Sequence, residues 1–123
     1  MNSDQLLTLL QETHHLHPAV DPVHGPKKPD PAKWQQGLRF NFSEASMNSV
    51  LIGQLCDISR QRAVKGEIRA LAGAVLAEIF AEGVGHKDAA NILESAHVLR
   101  HHNIKGLKAI GERMMQTLGV GTR

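Results

Sequence analysis

Apolar residues recur at helical spacing over most of this chain. Residues 3–16 gather Leu6, Leu7, Leu9 and Leu10 on one sticky face, with Asn2 or Ser3 placed to cap the start. A helix capped by Ser43 or Ser46 is expected to run to about Ser59, with Met47, Leu51, Ile52, Leu55, Cys56 and Ile58 as its stripe. After a basic turn, Arg60 to Gly66, a second runs from about Val64 to Ala81, with Ile68, Leu71, Ala72, Val75, Leu76, Ile79 and Phe80 inward. Two more follow. One spans about Lys87 to His101 around Ile92, Leu93, Ala96 and Leu99; the other spans about Ile104 to Leu118 around Leu107, Ile110 and Met114. One run breaks the pattern. Leu38-Arg39-Phe40-Asn41-Phe42-Ser43 alternates with period two, as a half-buried strand does. A lone strand leaves backbone N–H and C=O groups unpaired, so pairing with the same strand of a second copy is expected.

The five prolines lie between Pro18 and Pro31. They leave no room for a helix there and mark a linker. Four segments result: an N-terminal amphipathic helix at 1–17, a Pro-rich linker at 18–36, a strand-helix-helix core at 37–82, and a C-terminal helical hairpin at 83–123 for oligomerisation or partner binding.

Composition narrows the picture. The 123 residues include no Tyr, one Trp and three Phe, so the core must be built from Ala, Leu, Ile, Val and Met. The net charge of +2 says little, but its distribution says more. Arg60, Arg62, Lys65 and Arg69 stand against Glu67 alone; Arg100, Lys105, Lys108 and Arg113 stand against Glu112 alone. The single cysteine, Cys56, excludes an internal disulfide and sits in an apolar stripe. No apolar run reaches the roughly 20 residues of a membrane span. The start lacks the basic region and apolar block of a signal peptide. A cytoplasmic protein with no membrane association is expected.

The order strand, helix, basic turn, helix resembles the ribbon-helix-helix family of DNA-binding proteins, and Arc-type repressors in particular. Arg39-Phe40-Asn41-Phe42 is similar to the strand of that family, and Arg62-Ala63-Val64-Lys65-Gly66-Glu67-Ile68 to the start of its second helix. The likeness covers residues 37–82. Its usual inter-helix Gly is absent, and Gly66 replaces the Ser that often precedes the Glu. The resemblance implies a mainly α fold whose one short strand pairs across a homodimer or higher oligomer. It implies a repressor or DNA-binding accessory factor acting on double-stranded DNA. Arg39 and Asn41 would read bases in the major groove with Ser43 assisting, since Arg can bond guanine O6/N7 and Asn adenine N6/N7. The N–H groups of Val64, Lys65 and Gly66 would hold a phosphate, with Arg60, Arg62, Lys65 and Arg69 adding charge.

The eight histidines admit another reading. Glu94, His97 and His101 share a helix face at metal-ligand spacing, although solvated histidines without metal are the commoner outcome and no cofactor is expected. His14, His15 and His17 form a second cluster. Histidines beside Arg100, Lys105 and Lys108 can also touch phosphate once protonated. No P-loop, nucleophile elbow, C-x-x-C or paired catalytic carboxylates occur, so an enzyme is not expected. The competing expectation is a helical adaptor without nucleic-acid binding, gripping a protein partner through its N-terminal helix on the Pro-rich tether and its C-terminal hairpin.

Overall fold

The computed structural model describes residues 3–16, 20–21, 25–26, 45–81, 86–102 and 105–119. Five α-helices account for most of them: α1 (Ser3–Leu16), α2 (Ala45–Arg60), α3 (Gly66–Ala81), α4 (Ala89–Arg100) and α5 (Lys105–Thr117). A single 3-10 turn, His86–Asp88, precedes α4. Between α1 and α2 a minimal hairpin pairs β1 (Val20–Asp21) with β2 (Gly25–Pro26), antiparallel, Val20 opposite Pro26. The hairpin lies against α3 and α5.

The bundle is organised around α3, which is buried continuously from Ile68 to Ile79. A helix apolar over most of its circumference, with Arg69 and Glu78 the charged residues in its buried stretch, belongs in the middle of a protein. Its bulky residues Leu71, Val75, Leu76 and Ile79 have no exposed surface, and between them sit Ala70, Gly73, Ala74 and Ala77. Small residues let neighbouring helices come close, and alanine costs nothing in helix propensity. The other four helices all pack on α3. From α1 come Leu6 and Leu10, both fully buried. The leucine face expected to grip a partner is therefore occupied within the chain.

Helices α4 and α5 form a tight antiparallel hairpin. Gly111 makes this approach possible: a Cβ there would fall 2.3 Å from the Arg100 backbone nitrogen and 2.8 Å from the Ala96 carbonyl oxygen. Gly73 plays a softer version of the same role, facing the side-chain ends of Ile110, Leu99 and Met114. Serine hydroxyls brace α2 internally and tie it to α4 and the turn before α4. The Cys56 carbonyl accepts from Ser59 Oγ at 2.7 Å and from Ser95 Oγ of α4 at 3.3 Å. Ser49 Oγ donates to Asp88 Oδ2 at 3.2 Å.

The ribbon-helix-helix fold expected for residues 37–82 is corrected by this arrangement. Among the described residues no strand of such a core is present. The described strand pairing is the hairpin at 20–26, and it is made within one chain. In a ribbon-helix-helix dimer a second copy covers the two helices; here α1, α4 and α5 of the same chain cover α3. The stripe read on α3 was one face of a helix that is buried nearly all round. Arg39, Asn41 and Ser43, with the rest of the alternating run, lie outside the described residues.

Candidate nucleic-acid interface

The α2–α3 corner explains why an arginine is buried beside the core. The last carbonyls of a helix have no partner inside it and carry the negative end of its dipole. At the end of α2, Ile58 O accepts from the Gln61 N–H, and Ser59 O accepts from Arg69 Nε at 2.9 Å. Arg69 thus reaches back from the first turns of α3 to cap α2. It is 4% exposed. Burial, and then the nearby charge of Arg62, hold its pKa below the ordinary arginine value. An arginine nonetheless keeps its charge in a protein.

The guanidinium also faces α4. Arg69 Nη1 lies 3.1 Å from His102 Nε2. A guanidinium only donates, so His102 Nε2 must accept, and the ring is neutral with its proton on Nδ1. Burial, followed by the charges of Arg69 and Arg62, lowers the His102 pKa. All three effects act on the imidazolium and agree with the tautomer that the hydrogen bond requires.

Beside His102 opens a groove of about 530 Å³, lined by Arg100, His101, His102, Lys108 and Glu112. It sits where α4 turns into α5. Lys108 and Glu112 are one turn apart on α5, and Glu112 is the single carboxylate among the five. The two basic stretches, 60–69 and 100–113, therefore meet. Arg62 acts electrostatically on Arg69 and His102, and His102 forms a wall of the groove.

The expected phosphate contacts fare unevenly. Arg62 and Lys65 are exposed in the 61–65 turn. Arg60 is committed to two carboxylates, Asp57 Oδ1 at 3.2 Å and Glu94 Oε2 at 3.3 Å. Val64 packs its side chain on the core and gives its N–H to the Gln61 carbonyl, so that N–H is not available to a phosphate. The Lys65 carbonyl accepts from Ile68 and Arg69, which starts α3 directly after it, at Gly66. Arg69 is buried and acts inside the protein.

Of the three residues at metal-ligand spacing, Glu94 is held by Arg60, while the rings of His97 and His101 stack at 6.4 Å and 6°. Among the described residues no group of three potential metal ligands converges. His17 and the side chains of His14 and His15 lie outside what is described. Cys56 is fully buried, and desolvation pushes its thiol up to about 11, far from a reactive thiolate. No described helix is long and apolar enough to cross a membrane. His102 was not singled out in the sequence; its signal is only its place beside Arg100 and Lys108.

Among the described residues the fold is a helical bundle with a basic groove where α4 meets α5. Compared with known protein families, curated proteins and solved structures, the chain matches none.

Proposed function

We propose that this chain binds double-stranded DNA through the sugar-phosphate backbone, using the basic end of the bundle. The observation that carries the reading is the meeting of the two basic stretches at His102, with Glu112 the one acid in the groove lining. Arg62 and Lys65 from the turn, with Arg100, His101 and Lys108 from the α4–α5 corner, form the contact surface. Arg69 positions His102 from behind. Phosphate contacts of this kind fix orientation and supply salt-dependent affinity. They suit a repressor or a DNA-binding accessory factor.

The adaptor reading is weaker because α1 has already spent Leu6 and Leu10 on the core. The large apolar side chains left exposed in the described residues are two, Val50 and Val98, and a few exposed apolar residues are ordinary for a surface.

Binding of a labelled short duplex, measured by fluorescence anisotropy from low to moderate salt, tests the proposal. Binding that weakens steeply with salt, and weakens further in an Arg62→Ala, Lys108→Ala double variant, is the expected result. Absence of binding at low salt overturns it and returns the adaptor reading to first place.

A further inference from the structure

Arg69 and His102 are paired in a way that only a neutral imidazole allows, and His102 forms part of the wall of the groove proposed to receive phosphate, with Arg69 buried behind it. The inference below rests on that DNA reading. We propose that DNA binding at this corner is coupled to proton uptake by His102: a backbone phosphate entering the groove protonates the ring, which stops accepting from Arg69 and donates to the phosphate instead.

The chemistry balances with a proton from solvent. In the unbound state Nε2 accepts from Arg69 Nη1 and Nδ1 carries the proton. When the second proton arrives, Nε2 becomes a donor, and its hydrogen bond with Arg69 is replaced by repulsion between two cations. A phosphate oxygen resolves that conflict, because it accepts from the imidazolium and its negative charge offsets the repulsion between the ring and Arg69 behind it. Without the anion the cations around the ring outweigh Glu112, so the proton and the phosphate enter together.

The surroundings of His102 favour this coupling. Arg62 and Arg69 approach from the turn and from α3; Arg100 and His101 come from the end of α4; Lys108 and Glu112 come from α5. The cations among them oppose protonation of the empty site and are offset by a bound phosphate. Glu112 works the other way: it attracts a proton to the corner but repels the phosphate.

The test follows affinity for a short random-sequence duplex at constant low salt, from about pH 8 down to about pH 5.5, the range in which histidine charge changes. Three proteins are compared: the wild type, His102→Gln and His97→Gln. Glutamine can accept from Arg69 through its amide oxygen but cannot take a proton, so the variant keeps the pair and removes the titration. His97 lies outside the groove lining and controls for histidine titration elsewhere. The wild type and His97→Gln should gain affinity as pH falls, by up to about tenfold per pH unit, the limit for one coupled proton. His102→Gln should be markedly flatter. Calorimetry of the wild type in two buffers of different ionisation heat, near neutral pH, should show net proton uptake on binding. This second measurement stands even if His102→Gln fails to fold. A pH-independent wild-type affinity, zero proton uptake, or an unchanged pH slope in a folded His102→Gln overturns the coupling while leaving DNA binding intact. No binding at any pH overturns both.

Discussion

Arg69 does two jobs at the level of single atoms. Its Nε closes the last turn of α2 on Ser59 O, and its Nη1 fixes the tautomer of His102. Arg69→Leu keeps much of the packing volume but strips the Ser59 carbonyl of its partner. A buried acceptor left unsatisfied costs about 1–3 kcal/mol, so the urea midpoint should fall accordingly. An unchanged midpoint means that Ser59 O has found another donor. His102 supplies a pH prediction for the DNA-free protein. Its folded pKa lies below the ordinary 6.5 that the unfolded chain retains. As pH drops through 6.5 the unfolded state takes up the proton first, so stability is lost. The contribution is fully present above that value and declines as pH falls from it toward the lower folded value. Denaturant midpoints between about pH 7.5 and 5.5 should therefore fall less in His102→Gln than in the wild type. Equal slopes count against the neutral ring. None of this was legible from sequence, where His102 is one of eight histidines and its partner lies 33 positions away.

Among the elements, the helices were readable and the strand was not. The expected helices end within a few residues of α1 to α5, because apolar spacing survives whatever the partner is. The alternating run at 38–43 suggested a ribbon, since period two and a following helix pair fit that fold. The same pattern does not say who covers the helices, and for α3 the answer is the rest of its own chain. The hairpin at 20–26 escaped notice because two-residue strands carry no periodicity, and Pro26 reads as a strand breaker. Two predictions belong at this scale. Leu10→Ala should cost about 2–5 kcal/mol, as for other fully buried leucines; an effect under about 1 kcal/mol would mean that α1 is not held in the bundle. Glycine-to-alanine changes should have opposite signs at two helical sites. At Gly53 a methyl meets nothing within 4 Å, so α2 gains about 0.5–1 kcal/mol of propensity. At Gly111 the same methyl strikes the Arg100 backbone, and the strain of about 1–3 kcal/mol or more exceeds that gain. Thermal melts of the two variants should therefore move in opposite directions.

For the molecule as a whole, the basic stretches were visible in sequence but their meeting was not. Residues 60–69 and 100–113 belong to separate helix pairs, and the packing of α4 on α2 and of α5 on α3 brings them together. The same packing removes Arg60 from the surface charge, because Glu94 arrives on α4. With Arg62, Lys65, Arg100 and Lys108 contacting phosphates, the logarithm of affinity should fall against the logarithm of salt with a slope of roughly −3 to −4. Lys108→Ala should make that slope shallower by about one. An unchanged slope would place the phosphates elsewhere on the molecule.

The burial of α3 on every side sets an order of events on the ribosome. While α4 and α5 are still being synthesised, the α3 face carrying Gly73 has nothing to pack against. A greasy segment then waits uncovered or in the hands of a chaperone until the last helix emerges. A chain halted before residue 105 is expected to be a degradation substrate rather than a smaller folded protein. Pulse-labelled truncations compared with the full chain for protease resistance should reveal that dependence.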